Sequence, residues 1–160
     1  MITLLRCDDR LIHGQCVVRV VSDFKIRHIV VIDDFVARNT MLKKLFVMAA
    51  PQGVGADVLS VEEAVSRIEE FSSSAQNILI LVKNPVTALS LYQKADKLKN
   101  DLNIGPMSNR PDSIKVTLYA SLTKEEASAI SEIVSMGIRV YFNQVIDQIT
   151  IEWDDIKDKF

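Results

Sequence analysis

The chain has 160 residues, 48% hydrophobic and 25% charged, with a formal net charge of −2. That is the balance of one globular domain of ordinary size, and it offers neither the basic face nor the interleaved aromatics that nucleic-acid binding needs. No apolar run approaches the ~20 residues needed to span a bilayer, and MITLL at the start is too short for a signal-peptide core; the chain therefore reads as cytoplasmic, its two cysteines reduced rather than paired.

In chain order, the first predicted strand is 2–6, followed by RCDDRLIHGQC (6–16) and a helix from Gly14 onward (GQCVVRVVSDF). The second strand, 28–32, and the fourth, 78–82, are apolar without alternation, as strands covered on both faces are. Between them lies a third strand at 57–59. Asp33 and Asp34 follow the second strand and are placed to cap the next helix or shape the rim. Ser60 with Glu63 makes a capping box before AVSRIEEF, and Thr123 with Glu126 makes another before ASAISEIVSMG. Asn84-Pro85 supplies an N-cap with proline at the first helical position. Further strands are predicted at 102–104, 115–118 and 139–142, and Gly137 stops the last long helix. His28, at the start of a strand on the edge opposite the loops, reads as structural. Trp153 is expected to anchor a C-terminal helix.

Strand and helix alternating from end to end predict a single three-layer α/β domain over residues 1–160. It should hold a mainly parallel six- or seven-stranded sheet with helices on both faces. Right-handed crossovers place the loops after the strands on one edge, where such folds bind ligands. CDDRLIH, DDFVARN, KNP and GPMSNRPD belong to that edge.

The first of these loops concentrates the ionisable chemistry. Residues 6–16 contain Arg6, Arg10, Asp8, Asp9, His13, Cys7 and Cys16. His13 falls at the start of a helix, whose unpaired N–H groups and partial positive charge make an anion site. Gly14 lets an anion approach that backbone, and Arg10 can add a planar guanidinium clamp. A neutral imidazole there carries a lone pair and can accept a phosphoryl group. The residues alone also admit a plainer reading, a solvated loop making surface ion pairs.

Arg6-Cys7-Asp8-Asp9-Arg10-Leu11-Ile12-His13-Gly14-Gln15 resembles the phosphorylation loop of the IIB component in the mannose/fructose/sorbose branch of the bacterial sugar phosphotransferase system (PTS). IVVIDDFVARN, AAPQGV, ILILVKNP, NIGPM and SLTKEEA continue the resemblance in order, to about Phe142. It implies a phosphoryl carrier, a sugar phosphotransferase subunit of the EC 2.7.1 class. His13 would take the group at Nδ1 from a phosphorylated IIA partner and pass it to a sugar held by membrane-embedded IIC and IID partners. Arg10 would assist catalysis, Asp8, Asp9, Gly14 and Gln15 would shape the phosphate loop, and no metal or organic cofactor would be needed. The carrier would be cytoplasmic and peripheral to the permease complex, and members of this family often pair up as homodimers. Departures fall at Cys7, often isoleucine, Cys16, often valine, Gly105-Pro106, where a second glycine is common, and Val145-Ile146-Asp147, where a proline turn is usual.

Two other chemistries find partial matches in the residues. Cys7, His13 and Cys16 have C-x5-H-x2-C spacing, which matches no common zinc pattern and lacks a fourth ligand. A binding or regulatory module that keeps this fold but passes no phosphate to sugar is a separate alternative, and Asp33 and Asp34 after a strand are like the acidic site of a receiver domain. The receiver reading fails at Asp57, which begins its strand instead of ending it.

Overall fold

Strands that are apolar on both faces need cover on both, and the crossovers of this chain supply it. In the computed structural model, which describes all residues from 1 to 160, the elements are β1 (Ile2–Cys7), α1 (Gly14–Asp23), β2 (His28–Ile32), α2 (Asp34–Arg38), α3 (Thr40–Ala49), β3 (Gly55–Leu59), α4 (Val61–Ser73), β4 (Ile78–Val82), α5 (Pro85–Lys94), β5 (Asp101–Ile104), β6 (Ser113–Lys115), β7 (Ser121–Thr123), α6 (Lys124–Ser135), β8 (Arg139–Phe142) and β9 (Ile151–Glu152). The main sheet runs β3-β2-β4-β1-β5-β8-β9. Every pair is parallel except β8 with β9.

From β1 the chain steps to β2 and β3, then returns through β4 and crosses β1 to β5 and β8. Right-handed crossovers put these two directions on opposite faces. Alternating residues of one strand accordingly enter different cores. Leu4, Ile29, Val31 and Leu79 pack with Val17, Val20 and Val36 from α1 and α2. Leu5, Val30, Ile80 and Ile104 pack with Ala64, Ile68, Leu91 and Ile130 from α4, α5 and α6. The direction of winding across the sheet reverses between the parallel neighbours β1 and β5, where Arg6 is in register with Asn103 and Cys7 with Ile104. The reversal opens a crevice at the carboxyl ends of these two strands, the usual ligand position in doubly wound sheets.

The predicted helix starts are present with their caps: Ser60 and Thr123 form reciprocal capping boxes with Glu63 and Glu126, and Asn84 caps α5. Gly137 is left-handed, at φ 84°. Two expectations are corrected. The strand predicted at 115–118 is instead Ser113–Lys115, paired antiparallel with Ser121–Thr123 in a ribbon outside the main sheet. The turn between them is closed by the Thr117 hydroxyl, which accepts the Ala120 N–H at 3.0 Å. The seventh sheet strand is β9, too short to show a period in the sequence. Trp153 is buried as expected, but it starts 3-10 turns (Trp153–Asp155, Lys157–Lys159) in place of an α-helix.

Candidate functional site

The loop after β1 is fastened from both sides. The Asp8 N–H donates to the Val82 carbonyl at 3.0 Å, and the Asp9 N–H donates to the Pro106 carbonyl at 3.2 Å. The Asp8 carboxylate accepts the Arg10 N–H at 3.1 Å, and Asp9 accepts the Ser108 N–H at 2.7 Å. Both aspartates thus bind backbone within the loop and its neighbour. Burial pushes the Asp8 carboxyl up, opposed by the Arg10 N–H bond and by Arg6.

Leu11 sits at φ 58°, a conformation that costs a non-glycine residue roughly 1–2 kcal/mol. Burial of Leu11 and Ile12 in the α1-side core offsets that cost, each such side chain contributing about 1.5–3 kcal/mol. With these two residues turned inward, Arg10 and His13 are turned outward and exposed. The Arg10 guanidinium makes no hydrogen bond or ion pair within the molecule, so the clamp assigned to it has no internal competitor.

His13 is the N-cap of α1, extended at φ −152° and ψ 128°, and its side chain caps nothing. The other five helices are capped by Asp33, Asn39, Ser60, Asn84 and Thr123. The N–H groups of the first α1 turn therefore have no side-chain acceptor, and the helix's partial positive charge faces solvent beside the exposed imidazole. Gly14 is at φ 61°, and a Cβ there would meet no atom. Glycine answers to the backbone conformation at this point, and its bare Cα leaves the N–H groups open. Gln15 is exposed and borders a groove of about 520 Å³ between α1 and the segment after β8, beside Cys16, Arg19 and Gln144.

Beneath this turn lies a side chain to which sequence analysis gave no role. Arg6 is 3% exposed and has no carboxylate at ion-pair distance. Its donors reach Asn103 Oδ1 at 2.5 Å, the Gln144 carbonyl at 2.9 Å, the Asn143 carbonyl at 3.5 Å and Cys16 Sγ at 3.4 Å. Asn103 in turn donates to Asn143 Oδ1 at 2.9 Å. Neutral acceptors satisfy the guanidinium donors, and its charge is met only beyond ion-pair distance, by Asp8, an expensive arrangement in a protein interior. Gly105 is required by this packing, since a Cβ there would collide with the Arg6 guanidinium. One signal was available: Arg6 and Asn103 are polar positions inside otherwise apolar strands, in the phase that faces the α1 layer.

The remaining candidates are placed elsewhere. Cys7 is fully buried in the α4–α6 core, and burial pushes its thiol up. Cys16 lies on the other side of the sheet. It is half-buried and accepts from Arg6. No three His, Cys, Asp or Glu side chains converge as a metal cluster. Asp33 accepts the Val36 N–H at 2.9 Å and Asp34 the Val61 N–H at 2.8 Å, so both carboxylates of the receiver-like pair act as helix caps. His28 Nε2 is 3.0 Å from Asp57 Oδ2 at the opposite edge of the sheet.

An exposed histidine at an open helix N-terminus, over a buried cation at the switch point of an α/β domain, is an arrangement suited to an anionic group. Residues 2–159 match the family described as the PTS system sorbose subfamily IIB component, and the chain belongs to that family. It is 30% identical to a probable phosphotransferase enzyme IIB component of Streptococcus pyogenes over 94% of each chain. It is 28% identical to the PTS system mannose-specific EIIAB component of Escherichia coli K12 over 99% of this chain, yet spans only 49% of that protein's length. The IIB domain of the sorbose permease from Klebsiella pneumoniae has the same fold, with a TM-score of 0.90, 28% identity, and coverage of 100% of this chain and 98% of that one. Sorbose-subfamily IIB components are subunits of sugar phosphotransferase systems, and no helix of this chain is long and apolar enough to cross a membrane.

Proposed function

We propose that the chain is a phosphoryl carrier in which His13 accepts a phosphoryl group from a phosphorylated IIA protein and passes it to a sugar held by IIC and IID membrane partners. The carrying observation is the pairing of exposed, unbonded His13 with the uncapped N-terminus of α1 directly above the buried Arg6. In the first step the Nδ1 lone pair of His13 forms a bond to phosphorus as the donor's P–N bond breaks. In the second, a sugar hydroxyl oxygen attacks phosphorus, the bond to His13 breaks, and the hydroxyl proton is lost. Charge on the equatorial oxygens is met by the free N–H groups of the first α1 turn, by Arg10 from outside and by the Arg6 field from below. Asp8 and Asp9 keep the loop in shape, Gly14 keeps the N–H groups bare, and Gln15 borders the approach. No organic cofactor or metal enters this scheme. The carrier acts at the cytoplasmic face of the membrane complex.

The test is reconstitution with the cognate IIA donor and membranes containing the cognate IIC and IID. The expected result is sugar phosphorylation that depends on this chain and stops with His13→Ala. Phosphate uptake on the chain with no transfer to any sugar would instead mark a regulatory acceptor.

A further inference from the structure

The outward face of α3 is apolar and open. None of its ten residues is buried, Met41 and Met48 are 73% and 81% exposed, and Leu45 is exposed with them. These positions stand at i, i+4 and i+7, on one stripe. Lys44, exposed and in no ion pair, falls in the same stripe among them. Leu42 and Phe46 form the opposite side and pack on the core. Scattered exposed apolar residues are ordinary, but a contiguous stripe marks an interaction surface, and methionine fits itself to varied partners.

We propose that this stripe docks the cytoplasmic surface of the membrane-embedded IIC/IID partners, an inference that rests on the carrier reading above. The partner it fits offers an apolar groove for Met41, Leu45 and Met48, and a carboxylate opposite Lys44. Charge selects that occupant. Residues 35–56 contain Arg38, Lys43 and Lys44 and no carboxylate. Arg38 and Lys43 stand beside Glu63 of α4, which leaves Lys44 as the cation without a counter-charge. A second copy docked two-fold on the same stripe would bring two Lys44 ammonium groups together. Position selects it too. α3 packs over β3, three strands from β1, about 14 Å across the sheet. His13 must meet donor and acceptor in turn, so a lasting contact cannot cover its loop. In the Escherichia coli EIIAB relative this chain matches only 49% of one polypeptide, so a IIA donor can be held by a covalent tether, whereas a membrane partner has only a surface to hold; the grip set aside from the loop belongs to the membrane partner.

The experiment titrates the parent, Lys44→Glu and Met41→Ser/Met48→Ser chains onto membrane vesicles with and without the cognate IIC and IID, and measures phosphate uptake from phosphorylated IIA alongside. The expected result is binding only to vesicles containing IIC and IID. Its half-saturating concentration should rise at least roughly tenfold in both variants, as for loss of an interface anchor, with uptake from IIA within about twofold of the parent. Parent-like binding by both variants would overturn the proposal. So would equal loss of uptake from IIA, which would give the stripe to the donor, or binding to vesicles lacking IIC and IID, which would give it to lipid. Sedimentation of the parent as a dimer that the double variant dissociates would give it to a second copy. A parent that binds the membranes but takes no phosphate from IIA would sink the carrier reading and leave the docking site standing.

Discussion

Two helix N-termini on the same sheet edge are treated in opposite ways. At α4, Ser60 accepts the Glu63 N–H at 3.1 Å, Glu63 accepts the Ser60 N–H at 2.7 Å, and Asp34 accepts the Val61 N–H. The chain supplies its own anion there, and the Ser60 N–H bond holds the Glu63 carboxyl below its ordinary range. At α1 no side chain caps the first turn, and an arginine without a carboxylate at ion-pair distance lies beneath it. Both ends have the same peptide dipoles. What differs is whether the negative charge comes from within the chain or must arrive from outside. An uncapped end forgoes local stability, a loss that fits the ligand site proposed for it.

The largest expected effects come from removing the cations of the open end. Arg10→Ala should slow phosphoryl transfer at saturating donor by roughly 10²–10³-fold, as loss of one preorganised donor does. Arg10→Lys should fall between that variant and the parent, because it keeps the charge and loses the planar fork. Arg6→Lys should slow transfer comparably and also lower unfolding free energy by about 1–3 kcal/mol, since buried acceptors are left unpaired. Stopped-flow transfer and thermal unfolding would separate the two residues; an Arg10→Ala rate equal to the parent's would remove it from the mechanism.

A smaller effect tests the capping contrast itself. His13→Asp puts a good N-cap on α1 and should stabilise the fold by about 0.5–2 kcal/mol while abolishing transfer; Ser60→Ala should cost about the same amount and leave transfer intact. If His13→Asp proved less stable than the parent, the α1 end would not be an unsatisfied one.

The smallest effects are in pH dependence, and they have opposite signs. Glu63 is lowered from an ordinary value of 4.5, so its contribution is present above that pH and is lost as pH falls through the folded value. Glu63→Gln should therefore be less stable than the parent at pH 7, by about 0.5 kcal/mol, and the gap should close on acidification. Asp8 is raised from 3.8 by burial, so the folded state holds its proton longer and loses stability as pH rises above that value. Asp8→Asn should be at least as stable as the parent at pH 7, and the parent should gain on it toward pH 4. Melting temperatures of both pairs across pH 3–7 would show whether the gaps run in these directions.

The layers, the edge and the helix caps were legible because each rests on a local pattern: non-alternating strands at 28–32 and 78–82, reciprocal Ser60/Glu63 and Thr123/Glu126 pairs, and Asn84-Pro85. The candidate site loop can be read as one unit because its residues are contiguous from Arg6 to Gln15. The supporting network was not. Arg6 of β1, Asn103 of β5 and Asn143, just after β8, meet only because β1, β5 and β8 are neighbours, which is a tertiary fact. The 115–118 strand was misplaced because the Thr117 turn outweighs β-propensity there. The short β9 and the 3-10 turns at Trp153 left no periodicity to read.

The most direct test of the central claim is to incubate the chain with phosphorylated IIA donor and map the label. The account predicts one phosphoryl group per chain, on His13, stable to alkali and labile to acid, with no uptake by a His13→Ala protein whose melting temperature matches the parent's. Uptake by His13→Ala, or label on Asp33 or Asp34, would contradict it.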